Sequence, residues 1–173
     1  MNDNPLLAAA LDYAERGWRV VAMHRPLPSG LCGCGNLECE HIGKHPRWHK
    51  KLLTNGVKSA SSDPEMLRRW WSLWPDANVG IAMGASGLMA LDEDPRNGGD
   101  LSHLPVSAEE LRTLTSLSGG GGRHLVYTLD PHISLDHKKA PPGIDLLWAN
   151  LILMAPPSLH LSGKRYRWAE GLG

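Results

Sequence analysis

The chain has 173 residues with equal numbers of acidic and basic side chains, 18 of each, and a formal net charge of zero. That balance argues against a uniform polyanion-coating domain, because such domains carry a basic excess. With 42% apolar and 21% charged residues, the composition excludes a disordered chain. No apolar run reaches the roughly 18 residues of a membrane span, and the N-terminus lacks the basic region of a secretory signal. We therefore expect a cytoplasmic protein without a membrane partner.

The first half of the chain is predicted to form two helices separated by a strand and a long insertion. A helix is expected from Asn4, an N-cap residue followed by proline, to Gly17, and a strand at 18–23. A second helix, capped by Ser62 or Asp63, is expected to end at Pro75. Its apolar face is richer in tryptophan than usual, and the helical spacing favours core packing over base stacking. That face comprises Met66, Leu67, Trp70, Trp71 and Trp74.

The second half is predicted to be mostly strands. Ser107 with Glu110 forms a capping box, which predicts a short helix ending near Leu117. The order of elements suggests a single α+β or α/β sandwich around a mixed sheet, with residues 1–173 as one domain. The expected strands lie at 78–83, 87–91, 124–129, 144–147, 151–155 and 165–168.

Charge is segregated along the chain although it sums to zero. Residues 41–61 carry five basic side chains and no acids, whereas residues 85–115 carry six acids and two arginines. The stretch from Pro131 onward carries five basic residues against three acids. An acidic spot between basic segments is typical of a metal-dependent enzyme that acts on a phosphate polymer. Ordinary surface patchiness is the alternative.

The strongest local signal is the acidic end of the strand GLMALDEDPRNGG. In a strand, Asp92 and Asp94 share a face while Glu93 points to the other side. Two converging carboxylates suit Mg²⁺ or Mn²⁺, and a solvated acidic turn is the alternative. Asp145 stands alone in an apolar strand and could complete a three-carboxylate site, since a buried carboxylate needs a partner or a metal.

A run of four glycines, 119–122, leads into Arg123, His124 and the strand LVYTL. Such a run leaves backbone amides free to hold an anion, with Arg and His beside them. A flexible hairpin loop is the alternative interpretation.

All three cysteines fall within eight residues, at Cys32, Cys34 and Cys39. The count is odd, and the spacing is too short to link distant elements. In a reducing compartment this cluster favours a metal site over disulfides. A metal would also order the insertion at about 25–61, which is long for a loop without secondary structure.

Together these segments resemble the N-terminal domain of bifunctional DNA primase/polymerases, in the archaeo-eukaryotic primase superfamily. The resemblance covers nearly the whole chain and keeps the order of the family's motifs. The segments that carry it are ALDYAERGWRVV, SDPEMLRRWWSLWPDANVGIAMGASGLMALDEDPRNGG, SGGGGRHLVY, GIDL and APPSLHLSGKRYRW.

The resemblance implies an α+β prim-pol fold, with an RRM-like catalytic sheet at about 76–170, helices around it and a zinc-binding insertion. It implies template-directed nucleotidyl transfer in replication of a phage, prophage or plasmid element, on single-stranded DNA with dNTP or NTP. Asp92, Asp94 and Asp145 would hold two Mg²⁺ or Mn²⁺ ions. His124 would bind the triphosphate, and Arg123 with the amides of Gly121 and Gly122 would assist it.

The resemblance also bears on the cysteine cluster. The family's GKHP pattern implies His45 as the fourth zinc ligand, with His41 as the alternative, which completes a structural tetrahedral site. The basic residues around it would then bind template or primer phosphates. These residues are Lys44, Arg47, Lys50 and Lys51.

The segment from Leu147 to Leu151 departs from the family. Leu147 replaces an expected arginine, and Asn150 and Leu151 replace glycines. Weakened nucleotide binding, an altered nucleotide preference or lost activity are all consistent with this change. Two other functions therefore stay open: a catalytically impaired zinc-containing module that binds nucleic acid, and a metal-dependent nuclease. A helicase, if one is involved, would be another domain or protein.

Overall fold

The computed structural model describes residues 4–130, 132 and 140–171. Helix α1 spans Pro5–Glu15, and the Asn4 side chain accepts hydrogen bonds from the backbone N–H groups of its first turn. Helix α2 spans Pro64–Leu73 and is capped in the same way by Asp63. Both helix starts were predicted, because an N-cap followed by proline satisfies and pre-orients the first turn. No helix in the described part of the chain is long and apolar enough to cross a bilayer.

The indoles of α2 belong to the core, as predicted. Trp70 and Trp71 are 1% and 2% exposed. Each N–H group finds a backbone acceptor, the carbonyl oxygen of Leu52 for Trp70 and of Ala77 for Trp71. A buried indole needs such a partner. Trp70 thereby also ties the end of the insertion to α2.

The described residues form two antiparallel sheets, one with three strands in the order β1-β2-β7 and one with five in the order β6-β3-β5-β4-β8. The strands are β1 (Val20–Met23), β2 (Asn78–Ala82), β3 (Leu88–Glu93), β4 (Leu114–Leu117), β5 (Arg123–Thr128), β6 (Ile144–Leu147), β7 (Ile152–Ala155) and β8 (Arg167–Trp168).

Two expectations about this half of the chain are wrong. Every described strand pairing is antiparallel, so the sheet is not mixed; short links such as the Ser118–Gly122 turn favour hairpin pairing. The predicted helix after Ser107 is absent, although the Ser107–Glu110 capping contacts form. They close only a turn, because Leu114–Leu117 pairs with β5 as strand β4. Pairing within the sheet overrides the local helix signal.

The five-stranded sheet has an apolar layer on each face. Leu88, Ala90 and Val126 belong to the main core beside α1, α2 and the small sheet. On the opposite face, Leu125 and Ile144 pack with Leu101 in a second, smaller cluster. Because both faces are covered, the sheet is a rigid support for polar side chains at its end.

Candidate functional site

One row of polar residues crosses the end of the large sheet. Asp92 on β3 lies directly opposite His124 on β5 and opposite Asp145 on β6. His124 in turn lies opposite Ser116 on β4. Directly opposed residues in a sheet share a face. The structure therefore brings together three predicted site residues that are far apart in sequence, on the face that also covers the main core.

His124 is held firmly at the centre of this row. Its side chain is 8% exposed, and its Nε2 atom lies 3.3 Å from Oδ1 of Asp92. The ring of Tyr166 stacks on it at 5.9 Å between centroids and 21° between planes. Burial, followed by the nearby charge of Asp92, raises the pKa of Tyr166. Nδ1 of His124 and Oγ of Ser116 are buried without a hydrogen-bond partner among the described residues.

Asp94 is not part of the row. Strand β3 ends at Glu93, and Asp94 instead caps the 3₁₀ turn Pro95–Asn97. Its carboxylate accepts hydrogen bonds from the guanidinium of Arg96 at 3.0 and 2.9 Å and from the Asn97 amide at 3.0 Å. The Arg96 hydrogen bond is also the main reason that the pKa of Asp94 is lowered. Asp94 lies just beyond β3, so the strand register does not fix its direction relative to Asp92, and the shared face of these two carboxylates stays a prediction.

The three carboxylates are consequently near one another but not converged. Asp92, Asp94 and Asp145 do not bring one oxygen each within 4.8 Å of the other two, a distance that the insertion's cysteine cluster does meet. The carboxylates of Asp92 and Asp145 remain as neighbours on adjacent strands. Their donor atoms are the hard oxygens that Mg²⁺ and Mn²⁺ prefer.

Arg123 occupies the face opposite His124. It lies across from Glu93 in the sheet and forms an ion pair with that buried carboxylate, which raises the pKa of Arg123. Glu93 also accepts a hydrogen bond from the backbone N–H of Leu101 at 2.7 Å. The structure thus places Arg123 in contact with a structural carboxylate and away from the row.

The glycine turn packs next to Arg96 and His160, and not next to an anion-binding pair of free amides as expected. The N–H groups of Gly121 and Gly122 donate to the carbonyl and hydroxyl oxygens of Ser118, so both amides serve the turn itself. At Gly120, an added Cβ would lie 3.3 Å from Cζ of Arg96 and 3.0 Å from Cε1 of His160. The turn therefore abuts two cationic or titratable side chains that sequence reasoning left out.

Arg96, His160, Tyr166 and Ser116 are the site neighbours that the sequence analysis missed. Arg96 follows Asp94 by two residues, and this short spacing could have indicated that the two side chains pair. His160 and Tyr166 lie in the SLHLSGKRY segment. Only the pairing of β8 with β4 and the loop before it bring that segment to the row, so no local pattern could indicate it.

The insertion gathers its cysteines around His45. The Nε2 atom of His45 lies 3.3 Å from Sγ of Cys32 and 3.5 Å from Sγ of Cys39. The donor atoms of Cys32, Cys34, Cys39 and His45 all lie within 4.8 Å of one another, and His41 is not among them. Zinc–sulfur bonds of about 2.3 Å and zinc–nitrogen bonds of about 2.0 Å at tetrahedral angles require sulfur–nitrogen separations of about 3.5 Å. The four residues could hold a zinc ion.

The thiols influence one another in the way a metal site requires. Burial opposes ionisation of Cys32, but hydrogen bonds from the backbone N–H groups of Gly43 and Cys34 and from His45 outweigh it and lower the pKa of this thiol to about 6. Desolvation and the neighbouring Cys32 and Cys34 raise the pKa of Cys39 to about 11. The Cys32 thiolate therefore forms readily, whereas the Cys39 thiolate does not form unless a cation compensates its charge.

The four basic residues that were predicted to bind phosphates differ in how exposed they are. Arg47 forms an ion pair with Asp76 at 2.9 Å, its side chain is 13% exposed, and its guanidinium lies 5.5 Å from the Trp74 ring. By contrast, the remaining three are exposed: Lys44, Lys50 and Lys51.

Lys44 also connects the insertion to the site. Burial, followed by the charges of Lys44 and Arg96, lowers the pKa of His160. Lys44 acts on Asp94 as well, after the larger effect of Arg96. The insertion therefore approaches the same side of the site as the glycine turn.

The segment from Asp145 to Leu151 lines a pocket of about 600 Å³. Leu147 shares its face with Asp145 and is directly opposite Ala90. The lining of the pocket is mostly apolar, and its apolar members are Leu146, Leu147, Trp148, Ala149 and Leu151.

Comparison with known proteins gives one result. The family model for the N-terminal region of bifunctional DNA primase/polymerases matches residues 10–172. A search of curated proteins finds no match.

Proposed function

Because the chain belongs to the bifunctional DNA primase/polymerase N-terminal family, we propose that it is a template-directed nucleotidyltransferase that starts and extends nucleic-acid chains. The family suggests the reaction class. The row formed by Asp145, Asp92 and His124 on adjacent strands is the observation that carries the proposal. It puts two metal-type carboxylates beside a fixed imidazole at the end of a rigid sheet, as phosphoryl transfer requires.

Asp92 and Asp145 would hold the divalent metals of this reaction, Mg²⁺ or Mn²⁺. When bound, two such ions would stabilise the attacking 3′-oxygen and the leaving pyrophosphate. Asp94 would also bind the metals if it gave up its hydrogen bonds with Arg96 and Asn97. That change would leave the Arg96 guanidinium free beside Gly120, where it could pair with phosphate oxygens.

The triphosphate would lie on the His124 side of the carboxylates. The buried ring, stacked on Tyr166, orients its nitrogen atoms without further ordering, which favours positioning of the γ- or β-phosphate. Among the described residues, Arg96 and Lys44 are cations near this side, and they would take the role that was expected of Arg123. The sugar and base would lie on the other side of Asp145, over the apolar pocket at Leu147 and Trp148.

Zinc at the Cys32, Cys34, Cys39 and His45 cluster would be structural, since four protein donors leave no open position. It would keep Lys44 next to the site and display Lys50 and Lys51 to a single-stranded template. We further propose that the protein serves replication of a phage, prophage or plasmid element and that a helicase domain or protein opens the template.

One assay distinguishes the proposed function from its two alternatives. Wild-type protein is incubated with single-stranded DNA and Mg²⁺ or Mn²⁺, with and without dNTPs and NTPs, and the products are resolved by length. We expect chains that grow only when nucleotides are present. Shortened DNA without nucleotides would identify a nuclease, and binding without any product would identify a non-catalytic module.

The matched variants are Asp92→Asn with Asp145→Asn, and Glu109→Gln as a control. Glu109 is an exposed carboxylate outside the row. We expect the double variant to lose incorporation and Glu109→Gln to keep it. Full incorporation by the double variant would show that the row is not the catalytic site.

The non-catalytic alternative has one observation in its favour. The apolar segment Leu147–Leu151 replaces a cation and two glycines that the family pattern implies, and it begins two residues after Asp145. If the triphosphate needs that cation, the fold would retain template binding and lose turnover.

A further inference from the structure

A second pocket, of about 470 Å³, lies between the glycine turn and the segment that leads into β8. Three of its lining side chains are cationic, and none is acidic. The lining consists of Leu117, Ser118, Gly119, Gly121, Gly122, Lys164, Arg165 and Arg167.

The three cations have no carboxylate partner among the described residues. Lys164, Arg165 and Arg167 are all exposed, and Arg165 uses one nitrogen to donate to the carbonyl oxygen of Pro157 at 2.8 Å. Arg123 on the neighbouring strand differs, because Glu93 neutralises it. Three positive charges around one hollow repel one another unless an anion occupies it.

The glycine turn forms the uncovered wall of this pocket. A Cβ at Gly119 would lie 2.8 Å from Cβ of His160 and 3.0 Å from Cβ of Lys164, and one at Gly122 would lie 2.6 Å from the carbonyl oxygen of Glu93. Glycine is required there for close packing. Gly121, by contrast, is exposed, and an added Cβ there would meet no heavy atom within 4 Å, so a bulky phosphate can approach the backbone closely at this residue.

The Arg167 side of the pocket lies on the sheet face opposite the metal-type carboxylates. Arg167 is directly opposite Leu117, which is directly opposite Arg123 and thus on the Glu93 face of the sheet. Asp92 and His124 occupy the other face. A triphosphate that contacts the row therefore lies on the other side of the sheet from Arg167. A ligand that passes around the end of the sheet, with phosphates at regular intervals, can reach both.

We propose that this pocket binds consecutive backbone phosphates of a single-stranded nucleic acid, outside the nucleotide site. This rests on the proposed function for the identity of the strand, since a primase/polymerase must hold its template while nucleotides exchange. Lys164 and Arg167 would contact phosphate oxygens directly. Arg165 would use the guanidinium nitrogens that Pro157 does not occupy.

The test measures binding of a fluorescent single-stranded oligonucleotide by anisotropy, without metal and without nucleotides, over a range of salt concentrations. Lys164→Gln, Arg165→Gln and Arg167→Gln are combined in one variant. Each phosphate contact on a single strand contributes about 0.7 to the slope of log affinity against log salt. We expect the slope to fall by about two and the affinity at low salt to fall at least about tenfold.

The matched control removes the same charge elsewhere, through Arg16→Gln, Arg19→Gln and Arg112→Gln, which are exposed and line no part of the pocket. The control should keep most of the affinity. Equal losses in both variants would show a general charge effect and overturn the proposal, as would unchanged binding in the pocket variant. If the combined variant does not fold, Lys164→Gln alone replaces it. The Lys164 side chain donates no hydrogen bond in the described structure, and we expect this single variant to lose less affinity.

A second experiment, which varies the dNTP concentration, distinguishes this pocket from the nucleotide site. In primer extension, the pocket variant should keep its KM for dNTP and lose affinity for the template. A raised KM for dNTP with unchanged DNA binding would assign the pocket to the triphosphate and overturn the proposal. Wild-type protein that binds no single-stranded DNA would overturn it too. Wild-type protein that binds DNA without polymerising leaves the pocket's role standing and removes the proposed catalytic function.

Discussion

The two metal-type sites of this protein are built in opposite ways. The cysteine cluster takes all four donors from residues 32–45, and its donor atoms are already within 4.8 Å of one another. The carboxylate row takes Asp92, His124 and Asp145 from three strands, and register alone aligns them. Backbone hydrogen bonds to a sulfur, such as that from Gly43 to Cys32 at 3.4 Å, fix the first site. Beside the second, Asp94 accepts hydrogen bonds from Arg96.

This difference follows from the chemistry each site would perform. A structural zinc ion is not exchanged, so a local loop can be shaped around it. Metals of a nucleotidyl transfer site must meet a substrate and leave room for products, which a rigid closed cluster would prevent. Variants that change one site at a time test this contrast.

The largest effect is expected when the cysteine cluster loses a donor. We predict that His45→Ala abolishes zinc binding, whereas His41→Ala retains about one zinc per chain. Structural zinc sites bind with about 10–16 kcal/mol, and losing even part of that should lower Tm by about 10 °C or more. Metal analysis after dialysis and thermal unfolding measure both quantities. Zinc retained by His45→Ala and lost by His41→Ala would reverse the assignment.

The next effect concerns the row. We predict that His124→Ala lowers kcat/KM for nucleotide incorporation by about tenfold to a hundredfold, mainly through KM, because a charge-assisted hydrogen bond to phosphate contributes about 1.5–3 kcal/mol. Zinc content and DNA affinity should stay unchanged, which separates the two sites. His103→Ala, an exposed histidine with a 74% exposed side chain, is the control. An equal loss in both variants would contradict the role of the row.

The contrast also decides what the sequence could predict. The cysteine cluster is local, so its composition and spacing were enough to indicate a metal site. The strand ends that carry Asp92, His124 and Asp145 were predicted as well, because each follows or lies in an apolar run. Ser116 and Tyr166 could not be found, since they reach His124 only through pairing of β4 with β5 and β8. Asp94 lies just beyond the end of β3, so alternation along the strand does not determine where its side chain points.

A smaller effect is expected where the insertion joins the rest of the protein. Asp76 forms ion pairs with Arg25 and Arg47, each at 2.9 Å, and is 43% exposed. We predict that Asp76→Asn lowers the free energy of unfolding by about 1 kcal/mol, since partly exposed pairs contribute little. Tm should fall by about 2–4 °C, with zinc retained. Asp12→Asn, which breaks a single exposed pair with Arg16, should change Tm less.

The smallest effect concerns the segment from Leu147 to Leu151, where the family resemblance implies an arginine and two glycines instead. Leu147 lies two residues from Asp145 on the same face and borders the apolar pocket. We predict that Leu147→Arg lowers KM for dNTP about twofold to fivefold, because a partly exposed cation near a phosphate contributes about 0.5–1 kcal/mol. Leu147→Gln, polar but uncharged, should not lower it.

Steady-state primer extension at low and high salt measures this effect, and added salt should diminish it, since screening weakens exposed charge pairs. An increase in KM with arginine and glutamine alike would show that the sugar and base need the apolar wall itself. That result would make the departure an adaptation of the pocket to its nucleotide. A decrease confined to arginine would instead make it a loss of triphosphate affinity that His124, Arg96 and Lys44 only partly offset.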